Sequence, residues 1–424
     1  MKHINRYILF LGILLCANSC NTDSDNHIAF NEIYILIEQD NFFKAKEIYL
    51  EDKAKLTKPY QQFTEAILDN AFNQLEKSDK KINSLNNLKN SIPDSLQVKL
   101  YKIKYDNAVK QYDYKEAKNA LQTILSGYKK YLKEEEISDF ENSLKIWSAL
   151  ENVPPLKIDI QDRTTIKMKK DIAGLNTLKI SVKKDSANFI FDTGANLSTT
   201  TQSVAKQLKM NIIPVHIEVG TITGSKVMAQ LAVCDKLTLG NIDIYNVIFL
   251  VLPDEALSFP QIEYQIYGIL GFPVIEALKE IRITQDGYFI VPQNKSTFLK
   301  SSNMAMSELT PLIYINKKHF TFDTGADHTL FYHNFYLENK DKIDKKYKSQ
   351  RISFGGAGGK KEFDGYKIDY TFKIGEKEVT IKNANLLREK VKDDEIGYGN
   401  IGQDLIQKFD TLILNFDVMF IKFE

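Results

Sequence analysis

The chain has 424 residues, of which 43% are hydrophobic and 26% charged, and its formal net charge is +1. That length predicts two or three domains, and the balanced charge excludes a field that would attract nucleic acid or an anionic surface. The six histidines and three cysteines show no metal-ligand spacing, and no glycine motif opens a helix to hold a phosphate. We therefore expect no metal, no nucleotide and no other cofactor.

The first twenty residues have the pattern of a secretory signal. Lys2 and Arg6 precede an apolar run at 7–15 that is too short to cross a bilayer. Small residues then precede Cys20, and the segment resembles a bacterial lipoprotein signal, in which this cysteine becomes the lipidated first residue. We predict a signal peptide at 1–20 and a cell-envelope protein anchored to the outer membrane, on its periplasmic or surface face. A plain secretory signal is the alternative.

Residues 27–153 carry the apolar periodicity of α-helices. Phe30, Ile33 and Ile37 would share one helical face, and the same spacing returns further along. The Ser-Asp-Phe-Glu segment at 138–141 predicts a capping box that opens the last helix. The pattern therefore predicts an N-terminal helical domain.

Two short segments indicate how these helices could pack. Phe42-x-x-Ala45 and Tyr114-x-x-Ala117 resemble the aromatic-to-alanine packing of tetratricopeptide repeats, and a generic helical bundle is the alternative. The segment carries no catalytic motif, so we predict that it docks a partner protein. A removable pro-region is the second interpretation.

The character of the sequence changes at Pro154 and Pro155. Short runs rich in Ile, Val, Thr, Tyr and Phe then alternate with turn residues to the end of the chain. This pattern predicts a mostly β domain of about 270 residues. The expected fold class is therefore multidomain α + β.

An internal duplication divides this β domain. A shift of 131 residues places Asp192-Thr193-Gly194-Ala195 on Asp323-Thr324-Gly325-Ala326, and Gly271 on Gly402. The spacing from aspartate to glycine is 79 residues in both copies. The repeat predicts two lobes, at 155–300 and 301–424.

These motifs resemble the aspartic proteases of the retropepsin and pepsin type, and the segment at 323–330 is especially similar to the retroviral sequence. The resemblance implies a bilobal, double-barrel domain in which one aspartate from each lobe shares a proton and activates water. The two threonines would hydrogen-bond across the lobes, and the glycines would permit tight loops. The predicted catalytic and loop residues are Asp192, Asp323, Thr193, Gly194, Thr324 and Gly325.

Two glycine-containing stretches are candidates for the mobile hairpins, or flaps, that cover such sites. Ordinary surface hairpins are the alternative for both, and Asp327 could equally cap its own turn. The predicted substrate-binding residues are Gly220, Thr221, Ile222, Gly355, Gly356, Ala357 and Asp327.

The sequence thus predicts a membrane-anchored aspartic endopeptidase, monomeric because both aspartates lie on one chain, with a peptide or protein substrate. A catalytically inactive, peptide-binding sensor lipoprotein is the alternative, and a scaffold that acts mainly through its helices is a third hypothesis. Ala195 and Ala326 stand where pepsins commonly carry a hydroxyl that stabilises the carboxylate. We therefore expect a weakly acidic to neutral pH optimum. Asn400 departs from the apolar-apolar-Gly pattern that ends at Gly402, but it lies at the variable end of that motif and puts little in doubt about the resemblance.

Overall fold

The structure is a computed structural model that describes residues 21–424 other than 88–90, 221–225, 299–301, 357–358, 392–394 and 396. A helical region up to residue 150 is followed by a β-rich part, which confirms the α + β fold class. The helices of the described part are α1 (Asn21–Glu38), α2 (Phe42–Asp52), α3 (Lys58–Ala71), α4 (Leu75–Asn87), α5 (Asp94–Lys110), α6 (Tyr114–Gly127), α7 (Glu134–Leu150), α8 (Gln202–Gln207), α9 (Phe272–Ala277), α10 (His333–Lys346) and α11 (Gln403–Ile406).

The strands fall into two large sheets, one sheet that both halves share, and a short two-stranded ribbon. In chain order they are β1 (Lys157–Ile160), β2 (Thr164–Lys167), β3 (Lys169–Lys170), β4 (Asn176–Val182), β5 (Asp185–Phe191), β6 (Ser198–Thr201), β7 (Asn211–Gly220), β8 (Lys226–Leu239), β9 (Ile242–Leu252), β10 (Ser258–Phe259), β11 (Tyr264–Gln265), β12 (Gly268–Leu270), β13 (Glu280–Thr284), β14 (Tyr288–Val291), β15 (Met304–Ser307), β16 (Thr310–Ile315), β17 (Lys318–Phe322), β18 (Leu330–Phe331), β19 (Gln350–Gly356), β20 (Gly359–Ile374), β21 (Lys377–Leu387), β22 (Gly399–Ile401), β23 (Thr411–Asn415) and β24 (Phe420–Phe423).

Six helices form three hairpins, α1 with α2, α3 with α4, and α5 with α6, and each turn has three residues. The middle residue of each turn, Asp40, Asn73 or Tyr112, has a left-handed backbone with φ of 51°, 57° and 60°. Aspartate and asparagine adopt this conformation readily, whereas tyrosine does so at a cost. The Tyr112 hydroxyl donates to the Pro273 carbonyl at 2.9 Å, and this tertiary contact helps to hold the strained turn.

The paired helices bury the two segments that predicted their packing. Phe42 and Ala45 lie near the start of α2, Tyr114 and Ala117 near the start of α6, and all four side chains are buried. Each of these helices is the second of its hairpin. Their assignment to tetratricopeptide repeats stays a prediction.

The predicted start of the last helix is wrong. Helix α7 begins at Glu134, four residues before Ser138. Its first turn contains three glutamates, which the positive end of the helix dipole favours. The Glu136 carboxylate also accepts a hydrogen bond from the Lys133 backbone N–H at 3.0 Å. The acidic run, not the serine, therefore sets the helix boundary.

The two large sheets repeat one strand order. The first runs β1-β9-β6-β12-β5-β4-β8-β7, with β3 beside β4, and an additional β8–β9 pairing closes six of its strands into a ring. The second runs β15-β16-β17-β22-β18-β21-β20-β19. Among the described residues its strand pairs do not close a ring. The double-barrel expectation is therefore met by strand pairing in the first sheet alone.

The third sheet, in the order β2-β14-β13-β23-β24, takes strands from both sides of residue 300. Its central pair joins β13 to β23, with Glu280 opposite Asn415, and these two strands are related by the 131-residue shift. Glu280 is buried and accepts a hydrogen bond from the Asn415 side chain at 2.9 Å. The shared sheet therefore joins the two halves into one body.

The helical region also packs against the β part. Trp147 and Leu150 of α7 belong to the same apolar cluster as Phe189 and Phe249 of the first sheet. On the second sheet, Phe43 stacks on Tyr314, with ring centroids 4.6 Å apart. Removal of the helices would therefore expose apolar surface on the β part. In the described part of the chain, none of the helices is both long enough and apolar enough to span a bilayer.

Candidate active site

Each Asp-Thr-Gly segment begins where a buried strand ends beside a parallel partner. Strand β5 runs next to β12, and the Asp192 backbone N–H donates to the Leu270 carbonyl at 3.1 Å. Strand β17 runs next to β22 in the same way, and the Asp323 N–H donates to the Ile401 carbonyl at 3.0 Å. Both aspartates therefore leave their sheets in the same position and direction.

The glycines that close the two parallel segments sit under the loops without room for a side chain. A Cβ atom at Gly271 would lie 2.5 Å from the Leu197 carbonyl carbon, and one at Gly402 would lie 2.7 Å from that of His328. The Gly271 N–H instead donates to the Ser198 hydroxyl at 3.0 Å. This close backbone approach explains why glycine recurs in both copies 79 residues after the aspartate.

The two loops are joined through their buried threonines. The Thr193 N–H donates to Thr324 Oγ1, and the Thr324 N–H donates to Thr193 Oγ1, both at 3.0 Å. Each hydroxyl then donates to a carbonyl of the opposite strand, Thr193 to Phe322 and Thr324 to Phe191, both at 2.9 Å. Both side chains are fully buried. The loops are therefore fixed to each other by four reciprocal hydrogen bonds.

This connection brings the two carboxyl groups together. A Cβ at Gly194 would lie 2.7 Å from Cγ of Asp323, and one at Gly325 would lie 2.4 Å from Cγ of Asp192. Each loop's glycine thus makes room for the carboxyl of the other loop. Each aspartate also accepts its own loop's glycine N–H at 2.8 Å, so each carboxyl lies between the glycines of both loops.

The environment favours a proton on one of the two carboxyls. Burial raises the pKa of Asp192 well above its usual range, and the charge of Asp323 and the hydrogen bond to it raise that pKa further. The N–H groups of Gly194 and Ala195 act in the opposite direction and do not outweigh these effects. Asp192 therefore keeps its proton at pH values where an exposed aspartate is ionised. Two close carboxyls that share one proton can offer an acid and a base at once.

Asn400 also contacts this pair, although no catalytic role was predicted for it. Its side-chain N–H donates to Oδ2 of Asp323 at 3.0 Å, and its amide oxygen accepts from the Thr321 hydroxyl at 2.6 Å. The signal was present as the one polar residue at a position where the other copy has Ile269. The departure leaves the family resemblance in place, and it puts an amide donor directly against the carboxyl of Asp323.

The described flap residues lie at the ends of two strands. Gly220 ends β7 and pairs with Lys226 of β8, while Gly355 and Gly356 end β19, with Gly356 opposite Gly359 of β20. Thr221, Ile222 and Ala357 lie outside the described residues, and so does Cys20. The flap role of both hairpins stays a prediction.

Asp327 lies just beyond the second active-site loop. Its side chain is exposed, and the carboxylate lies 3.6 Å from the ring of His328. Its backbone carbonyl accepts a hydrogen bond from the Asp404 N–H at 3.2 Å. The carboxylate is therefore accessible from solvent, and its role in substrate binding stays a prediction.

The family model of the aspartyl proteases matches residues 178–274. This range contains the first loop, with Asp192, Thr193 and Gly194, and the parallel segment that ends at Gly271. The match and the fold together support an aspartic protease family. They also support a protease-like scaffold for the β domain. No curated protein matches the chain. The second loop lies outside the matched range, and its equivalence to the first rests on the repeat and on the geometry described above.

Proposed function

We propose that the protein is an aspartic endopeptidase whose catalytic pair is Asp192 and Asp323. The observation that carries this proposal is the contact between the two carboxyls, held by the reciprocal bonds of Thr193 and Thr324. A structural turn needs neither a buried threonine exchange nor a glycine that makes room for the opposite carboxyl. An arrangement that places like charges in contact costs stability, and a catalytic role accounts for that cost.

The chemistry follows from the single proton that the pair shares. One carboxylate removes a proton from water as the water oxygen attacks the peptide carbonyl, and the other carboxyl protonates the carbonyl oxygen. The raised pKa of Asp192 keeps this proton in place beyond the range of an ordinary aspartate. Rates should therefore be highest in weakly acidic to neutral solution and fall as rising pH removes the proton. A profile that peaks below about pH 3 would contradict this expectation.

Cleavage of a broad peptide library from about pH 3 to 8 tests the proposal. Asp192→Asn and Asp323→Asn should each abolish cleavage, because either change removes the proton-sharing pair. Asp235→Asn, an exposed aspartate on β8, is the matched control and should cut like the wild type. Added pepstatin should inhibit. If nothing is cut at any pH while the wild type and the variants bind peptides equally, the inactive sensor function replaces the endopeptidase.

We extend the proposal to the anchor. Cys20 would carry lipid directly before helix α1, so that the β domain faces the periplasm or the cell surface. The chain's three cysteines provide the controls. Cys20→Ser should abolish incorporation of a fatty-acid label and release the protein from membranes, whereas Cys16→Ser and Cys234→Ser should not. If the wild type takes up no fatty-acid label and is itself released from membranes, the plain secretory signal is favoured.

The helical region is proposed to dock a protein partner. Its hairpins occupy residues that carry no catalytic group, and part of their surface is exposed and apolar, including Ile28, Ile35 and Leu50. Because the helices share apolar clusters with the sheets, deletion of residues 28–150 would destabilise the β part as well as remove the docking surface. Charge-introducing changes at these three exposed positions, with cleavage of short peptides unchanged, test docking without removing the domain.

A further inference from the structure

The two active-site loops differ in one pair of side chains on the two parallel strands from which each loop is supported. In the first sheet the register places Ile190 of β5 beside Ile269 of β12. In the second sheet the equivalent register places Thr321 of β17 beside Asn400 of β22. The 131-residue shift relates both positions. The backbone is therefore duplicated, while an apolar pair on one side is replaced by a polar pair on the other.

The polar pair has one consistent hydrogen-bond direction. The Thr321 hydroxyl donates to Asn400 Oδ1 at 2.6 Å, with the Gly399 carbonyl as a more distant second acceptor at 3.3 Å, and the NH₂ group of the amide donates to Asp323 Oδ2 at 3.0 Å. The reverse amide orientation would place the amide oxygen against a carboxylate oxygen. The chain of polar groups thus ends in a donor aimed at the carboxyl.

This donor makes the two aspartates unequal. Asp323 accepts from the Gly325 N–H on Oδ1 and from Asn400 on Oδ2. Asp192 has the backbone N–H groups of Gly194 and Ala195 as donors from its own loop, but Ile269, at the position equivalent to Asn400, has no side-chain donor to offer. Hydrogen-bond donors stabilise the charged form of a carboxyl. Asn400 therefore offers Asp323 a side-chain donor to its charged form that Ile269 does not offer Asp192.

We propose that Asn400 is a positioning residue that keeps the negative charge on Asp323 and the shared proton on Asp192. The inference rests on the proposed endopeptidase function and adds direction to it. The attacking water gives a proton to Asp323 while the water oxygen bonds to the carbonyl carbon of the peptide. The proton on Asp192 passes to the carbonyl oxygen. When the C–N bond breaks, Asp323 protonates the leaving nitrogen and Asp192 regains a proton from the diol.

Asn400→Ile tests this assignment because it removes the donor to Asp323. The double variant with Thr321→Ile also rebuilds the Ile–Ile pair of the first sheet. Loss of a hydrogen bond to a charged group should move the acid limb of the kcat profile up by about one pH unit. At a pH on that limb kcat should fall about tenfold, with KM changed less than about twofold. The reciprocal Ile269→Asn gives Asp192 a donor and should move the alkaline limb down.

The controls separate this role from a structural one. Asn385→Ile makes the same change at a half-buried strand position of the second sheet and should leave both limbs in place. Thermal unfolding reports whether each variant is folded. If Asn400→Ile does not fold, Thr321→Val takes over the test, because it removes the hydroxyl that orients the amide and should shift the acid limb in the same direction.

The inference and the proposed function fail in different ways. If the wild type cuts peptides and the acid limb of Asn400→Ile does not move, the inference is overturned and the endopeptidase stands. If the wild type cuts nothing, the endopeptidase fails, and ¹³C NMR titration of the aspartate carboxyls still tests Asn400. In that titration the lower apparent pKa of the carboxyl pair must rise in Asn400→Ile, and an unchanged lower pKa overturns the inference.

Discussion

Thr193 and Thr324 each satisfy the backbone of the loop opposite to their own. Each hydroxyl accepts the other threonine's N–H and donates to a strand carbonyl on the far side. Because both residues are fully buried, no water can replace a lost partner. Neither aspartate can then move away from the other without breaking buried hydrogen bonds, so the contact between the carboxyls is held by residues that do not themselves titrate.

Thr193→Val should therefore lower the free energy of unfolding by about 2–3 kcal/mol, because it keeps the shape and leaves a buried N–H and a buried carbonyl unpaired. Thr193→Ser keeps the hydroxyl and should cost clearly less. Thr324→Val should match Thr193→Val, since its bonds are the same. Denaturant unfolding measures all three. Equal costs for valine and serine at 193 would contradict this account.

At this scale the sequence predicted the residues that are repeated and missed the one that is not. Two identical tripeptides at matched spacing indicate Asp192 and Asp323 without any coordinates. The role of Asn400 depends on the register of β22 beside β17 and on which carboxyl oxygen faces the amide. Neither quantity is encoded in local spacing, so a polar residue in an apolar motif could only be noted as a departure.

Strand β7, which precedes the first flap candidate, lies at the edge of its sheet. An edge strand leaves backbone N–H and carbonyl groups unpaired. Here the Asn142 side chain of α7 donates to the Glu218 carbonyl at 2.8 Å and accepts the Glu218 N–H at 2.9 Å. One amide therefore replaces a neighbouring strand at this point. The helical region thereby restrains β7.

Asn142→Ala should release this restraint locally. We expect amide hydrogen exchange at Glu218 to speed up about five- to tenfold, because a net hydrogen bond contributes about 1 kcal/mol. Asn142→Asp keeps an acceptor for the Glu218 N–H and should have a smaller effect. Asn119→Ala, on the exposed side of α6, is the control. Unchanged exchange in Asn142→Ala would mean that the strand edge is held by other contacts.

The elements themselves show what local pattern can and cannot predict. Helical spacing and β-rich composition were sufficient for the order of helices and strands, since both depend on neighbours within a few residues. The pairing of β13 with β23 joins residues more than 120 apart, and the closure of the first sheet depends on β8 meeting β9. Such pairings are set by the packing of the whole β part, which periodicity does not contain.

Across the whole molecule, helices and sheets meet around buried titratable groups. His319 of β17 is 4% exposed and lies against the Gln39 backbone of the α1–α2 turn. Burial lowers the pKa of His319 from its usual 6.5 to about 4. Asp40, in the α1–α2 turn, accepts a hydrogen bond from the Ser307 hydroxyl of β15 at 2.5 Å, and burial raises the pKa of Asp40 to about 6.

These two groups act on stability in opposite directions as pH falls. The unfolded chain protonates its imidazole first, so His319 removes about 3 kcal/mol of stability between about pH 6.5 and 4. The folded chain protonates Asp40 first, because the pKa of Asp40 is raised in the folded state. Asp40 therefore adds about 3 kcal/mol of stability as pH falls from about 6 to 4. Their contributions nearly cancel in the wild type over this interval. The cancellation spans the joint between helices and sheets.

Single substitutions should expose each half of this balance. Relative to the wild type, His319→Phe should become more stable as pH falls from about 6.5 to 4, and Asp40→Asn should become less stable, each by about 3 kcal/mol over the interval. Differences between variant and wild type isolate the single group from the other carboxyls of the chain. Urea unfolding at half-unit pH steps measures them, with His216→Asn, an exposed imidazole, as control. If His319→Phe follows the wild-type slope, the imidazole is already solvated in the folded protein, and the joint between helices and sheets is open enough to admit water.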